Sequence, residues 1–229
     1  MPAVKVDPQR MYPALALATV LAGMADHQRA HQVTETALIG ALAAQVWQSR
    51  DDLSPTDLAL LLTMLGTAAA GGWNMATSTH QPDPHGVRSG FLRGVAGFSV
   101  SQAATLALLH RSGATPHAGQ WPVRALLTGV GLSLIAARDP RNVPALGGYG
   151  ALLNAAALLA AHPHVNERSG RLGRGGWFFL TSDLLILVRR YLLRGRAERA
   201  VTEGVMLALY AGAQRELVSG LLEQRRAGP

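Results

Sequence analysis

Two stretches, 58–82 and 142–166, each run for 25 residues without an Asp, Glu, Lys or Arg. A helix of that length is long enough to cross the roughly 30 Å hydrocarbon core of a bilayer. A soluble bundle of Ala-rich helices is the alternative, but it needs a charged surface. Charged residues make up only 15% of the chain, against roughly 25% in ordinary soluble domains. Shorter uncharged or nearly uncharged stretches lie at 11–25, 36–49, 94–110, 125–137, around Asp183, and at 204–214. Extending these by a few amphipathic residues brings each toward the length of a span. The expectation is therefore an all-α integral membrane bundle of about eight transmembrane helices, one domain over 1–229, in the cell membrane. Alternating strand patterns and low-complexity tracts are missing from the sequence. The stretch 11–25 follows Lys5 and Arg10 and has Ala22 and Ala25 near its end, so it also fits a cleaved signal segment, which would leave seven spans.

The net charge of +7 raises nucleic acid as a partner. The arginines, however, are scattered between apolar runs and do not line one polar helix face, so no nucleic-acid partner is expected. They fit loops at a membrane surface, although their distribution gives only a slight preference for cytoplasmic termini. With no cysteine, disulfides, thiolate ligands and cysteine nucleophiles are excluded.

The most informative single residue is Asp183, set in the apolar run "WFFLTSDLLILV". An ionisable group there is costly unless it faces a partner, a cavity or a substrate path. The competing reading is that Ser182 and Asp183 cap a helix that starts at Leu184. A second polar line supports the functional reading: Glu203, Tyr210 and Gln214 are seven and eleven positions apart and so share one helix face. Metal-ligand patterns are weak. His27 and His31, the set His80, Asp83 and His85, and the pair His162 and His164 lack a convincing complete ligand set and read as loop histidines. "GRLGRGG" lacks the lysine and Ser/Thr of a phosphate loop, and no nucleophile elbow is present. No metal or cofactor is expected.

The order of the segments resembles the YhhN-like lysoplasmalogenase family of multi-pass membrane proteins. "WFFLTSDLLILVRRYLL" is similar to that family's Ser-Asp helix, and "LALYAGAQRELVSGL" to its Tyr-Ala-Ala-Gln ending. "LLTMLGTAAAGGW" follows its Gly-Asp helix, "FLRGVAGFSVSQAATLALL" its Ala-His helix, and "VPALGGYGALLNAAALLA" its Val-Pro and Tyr helix. The resemblance implies hydrolysis of the vinyl ether bond of lysoplasmalogens, with a lysophospholipid substrate in the bilayer and Asp183 as the catalytic acid. Ser182, Tyr210 and Gln214 carry over directly to the substrate site. Thr67 stands where the family has aspartate, Gln102 where it has histidine, and Thr36 where it has lysine. Thr67 and Gln102 can position water but cannot exchange a proton near neutral pH. Glu203 is the candidate replacement for the missing acid. The alternative is a lipid-binding or transport relative that keeps the cavity without catalysis. Asp183, Tyr210, Gln214, Thr67 and Gln102 are expected to converge on one internal cavity.

Overall fold

The computed structural model describes residues 8–78, 83–116, 121–167 and 169–226. Lys5 and His80, which entered the sequence reading, lie outside them. The helices are α1 (Pro8–Met24), α2 (Gln28–Gln48), α3 (Pro55–Ser78), α4 (Pro84–Arg111), α5 (Trp121–Arg138), α6 (Val143–Ala160), the single turn α7 (Pro163–Asn166), α8 (Arg171–Tyr191) and α9 (Arg196–Arg226). No strand occurs among the described residues, so the all-α expectation holds.

The expected count of about eight spans does not hold. Among the described residues, three helical segments are long and apolar enough to cross a membrane: Pro55–Ser78, His85–Arg111 and Pro140–Ala160. The reason lies in the flanks. Lengthening the short uncharged stretches into real helices adds charge along with length. Helix α2 takes in Arg29 and Glu35, α8 takes in Arg171, Arg174, Arg189 and Arg190, and α9 carries charges at both ends and in its middle. The uncharged stretch at 11–25 becomes a 17-residue helix, just under a span's length. Large aliphatic side chains nevertheless face outward on several other helices, including Leu21 of α1 at 56% exposure, Leu126 of α5 at 66% and Val201 of α9 at 57%. Outward apolar surface together with three span-length helices is consistent with membrane association.

Neighbouring helices close a ring. Helix α1 packs on α2, α2 on α3, α3 on α4, α4 on α6, α6 on α8, α8 on α9, and α9 back on α1. Helix α5 stands outside this ring, against α6 and α8. The main core joins Leu38 and Leu42 of α2, Leu61 and Leu65 of α3, Leu108 of α4, and Leu217 and Leu221 of α9, all almost fully buried. A smaller cluster joins Phe91 and Val95 of α4 with Ile135 of α5 and Leu146 of α6.

Glycines set the closest approaches. A Cβ added at Gly97 of α4 would come within 2.9 Å of the Thr67 carbonyl oxygen and 3.0 Å of the Gly71 Cα on α3. Those are backbone atoms that cannot step aside. Gly97→Ala is therefore expected to destabilise the fold by about 1–3 kcal/mol, the usual cost of overpacking. Thermal unfolding in detergent reads this out directly, and an unchanged melting temperature would contradict it.

Ion pairs fasten one end of the ring. The Asp57 carboxylate of α3 meets Arg111 of α4 at 2.8 Å and Arg225 of α9 at 3.2 Å. Arg174 of α8 holds Glu216 of α9 at 2.8 Å. With this end tied, the cavity described next opens at the other end, where α1, α3 and α8 finish and α2, α4 and α9 begin.

Candidate functional site

All seven ring helices contribute to one central cavity with a volume of about 1250 Å³ including its open mouth. Asp183 of α8 faces into it from a run of Leu and Ile. Its carboxylate accepts a hydrogen bond from the Tyr149 hydroxyl of α6. Helix α8 is outside the three span-length segments. Burial pushes the Asp183 carboxyl up to about 7, against the opposing pull of the Tyr149 hydrogen bond. A carboxyl so placed retains its proton near neutral pH and can donate it.

A second carboxylate lines the same cavity. Glu35 of α2 is 5% exposed and sits 3.4 Å from the His31 imidazole one turn earlier. Burial works to lower the pKa of His31, but Glu35 and Glu203 together carry it above the ordinary value. Space for Glu35 is provided by Gly72 of α3: any Cβ there would collide with the Glu35 carboxylate. Glu35 and Asp183 both act electrostatically on Tyr210, whose ring also lines the cavity. The Tyr210 ring stands edge-on to Phe98 at 6.0 Å and to Phe179 at 5.8 Å, which fixes its orientation in the cavity wall.

Near the mouth, Glu203 of α9 pairs with Arg189 of α8 at 2.9 Å. Burial pushes the Glu203 carboxyl up while Arg189 pulls it down. Arg190 lies with its guanidinium 4.2 Å from the centre of the Phe91 ring. Arg199 is exposed at the rim.

The structure thus gathers Asp183, Ser182, Tyr210 and Glu203 around one cavity. Ser182 serves the framework as well, donating from its hydroxyl to the Met206 carbonyl of α9 at 3.0 Å. Gln214, one turn after Tyr210 on α9, is buried and is not among the residues that line the space. Gln102 is buried on α4 with its amide nitrogen unpartnered. The Thr67 hydroxyl returns to the Thr63 carbonyl at 2.7 Å, on a face of α3 away from Gly72. Neither Gln102 nor Thr67 is among the residues that line the cavity.

Sequence reasoning missed Glu35, Tyr149 and Gly72. It stopped at Thr36, which points outward, when the inward residue is its neighbour. The usable signal was helical spacing: Glu35 lies three and seven positions before the buried Leu38 and Leu42, an acid on an apolar face. His31 was read as a loop histidine, and the structure places it in the first turns of α2 against Glu35. Among the described residues, no group of three or more His, Asp or Glu could hold a metal ion.

The sequence model of the YhhN family matches residues 30–221, from the start of α2 to near the end of α9. The chain belongs to the YhhN family. No curated protein and no solved structure matches it. The matched region contains every charged group that lines the cavity except Asp26. Helix α1 lies wholly outside the match. It is nonetheless built into the ring, with the Tyr12 hydroxyl donating to the Ala211 carbonyl at 2.7 Å.

Proposed function

We propose that this YhhN family member is a membrane hydrolase that cleaves the vinyl ether bond of lysoplasmalogens. The observation that carries the reading is the placement of two carboxyl groups, Asp183 and Glu35, on the walls of one cavity. A vinyl ether is inert to weak nucleophiles until its outer vinyl carbon is protonated. Asp183, holding a proton near neutral pH, supplies it. The C=C electron pair forms the new C–H bond, and positive charge develops on the ether carbon and oxygen. The Glu35 carboxylate stabilises that oxocarbenium ion and accepts a proton from the water that adds to the carbon. The hemiacetal then breaks its C–O bond to the glycerol: Glu35 returns its proton to the leaving glycerol oxygen while the ionised Asp183 takes the hydroxyl proton as the aldehyde C=O forms, giving a fatty aldehyde and a glycerophospho-alcohol. One water is consumed and both carboxyl groups return to their starting states. Glu203, already neutralised by Arg189, is placed to hold the mouth together rather than to react.

A second reading has one observation in its favour. By the resemblance drawn from the sequence, Thr67, Gln102 and Thr36 stand in place of three ionisable residues, which suits a relative that binds lipid without cleaving it. Incubating the purified protein in detergent with 1-alkenyl lysophosphatidylethanolamine and measuring free aldehyde separates the two. Aldehyde release above a no-protein control is expected. Lipid binding with no release would select the binding reading.

A further inference from the structure

A second cavity lies between the ring and the outlying helix α5. Its volume is about 870 Å³ including its opening, and its walls are mainly hydrocarbon, with Leu127, Leu132, Ile135, Leu146 and Leu187 among them. The two cavities meet. Met75, Phe91, Tyr149, Asp183 and Ile186 line both, so the Tyr149–Asp183 pair stands at the boundary between them. On one side of that boundary are the arginines of the mouth, and on the other is apolar space. Of these arginines, Arg189 is matched by Glu203 and Arg190 faces Asp139 at 3.9 Å, whereas Arg199 at the rim has no carboxylate partner among the described residues.

We infer that the molecule binds a single-chain phospholipid across both compartments, with the phosphate at Arg199, the glycerol end at Asp183, and the hydrocarbon chain under α5. Charge complementarity at one end and hydrocarbon at the other commit the pair of cavities to an amphiphile. The inference depends on the hydrolase reading only for which bond lies beside Asp183. Binding of the chain does not depend on cleavage.

Gly150 of α6 bounds the space in which the chain is placed. Gly150 lines the apolar cavity, and a Cβ built on it meets nothing within 4 Å, so a larger side chain there grows into the space the chain occupies. Gly148 on the same helix is exposed and equally open, but it does not line the cavity. Both positions tolerate leucine as helix, which makes them a matched pair.

The test is equilibrium binding of two saturated alkyl ether probes, hexadecyl and octyl lysophosphocholine, to the full chain in maltoside detergent. Neither probe carries a vinyl bond. The wild type is expected to favour the hexadecyl probe. Gly150→Leu should weaken hexadecyl binding by about tenfold or more, the worth of about two buried methylenes, and leave octyl binding unchanged. Gly148→Leu should match the wild type, and Arg199→Ala should weaken both probes alike. Hexadecyl binding unaffected by Gly150→Leu in a protein of native helical content would overturn the inference, as would equal loss for both probes or a wild type indifferent to chain length. If the expected pattern holds while no aldehyde is ever released, the chain site stands and the hydrolase reading falls.

Discussion

Asp183→Asn should abolish vinyl ether cleavage while sparing lipid binding, with turnover falling by about 10²- to 10⁴-fold, the usual worth of a general acid. The asparagine side chain keeps the size of the residue and can still accept the Tyr149 hydrogen bond, but it has no proton to deliver. Because the Asp183 carboxyl is pushed up to about 7, the wild-type rate should decline as pH rises above that value and the acid ionises. Stability also falls as pH rises, but over a lower window. Between the ordinary carboxyl value of 3.8 and about 7, the folded protein keeps a proton that the unfolded chain releases. The wild type therefore loses stability across that window as pH rises, and the loss is complete above it. Asp183→Asn removes this cost, so at pH near 8 the variant should melt at a higher temperature than the wild type. A dead variant that is also more stable is the signature of a strained functional group. Turnover indifferent to Asp183→Asn would remove the assignment.

Glu35 is expected to show the second largest effect, and it can be approached from two sides. Glu35→Gln removes the negative charge that the proposed mechanism sets against the oxocarbenium ion and should lower kcat by about 10²-fold or more. Gly72→Ala never touches the carboxylate chemically, yet its Cβ occupies the place where the Glu35 carboxylate rests. The obstructing group is the far end of a flexible side chain, so the fold can yield there at little cost, in contrast to Gly97, where backbone is in the way. Gly72→Ala should thus leave the melting temperature close to wild type and still depress kcat, with KM changing less. Equal kinetics for Gly72→Ala and the wild type would show that the resting position of Glu35 does not matter to the reaction. A collapse in stability would show that Gly72 serves packing instead.

The helical class was legible because long uncharged runs and 3.6-residue spacing are local properties, written in consecutive residues. Family membership was legible for the same reason, since the order of short motifs from α3 to α9 survives in one dimension. Asp183 stood out because a charge among Leu and Ile is conspicuous wherever it folds. The number of span-length helices was not legible in the same way. It depends on how far each helix continues past its uncharged centre, and in α2, α8 and α9 the continuation brings in arginines and glutamates.

What the sequence by itself determined is the inventory: an α-helical chain of the YhhN family, with one acid in an apolar helix and a Glu203–Tyr210–Gln214 face on another. Only the tertiary structure decided which groups meet. Glu35 and Asp183 are 148 residues apart in sequence, and no local pattern relates them. They share a cavity because seven helices close into a ring, and they fit there because a glycine on a third helix leaves room. The same closure left Thr67 on another face of α3 and turned Thr36 outward, since a helix advances about 100° per residue and one position separates the inside of the ring from the outside.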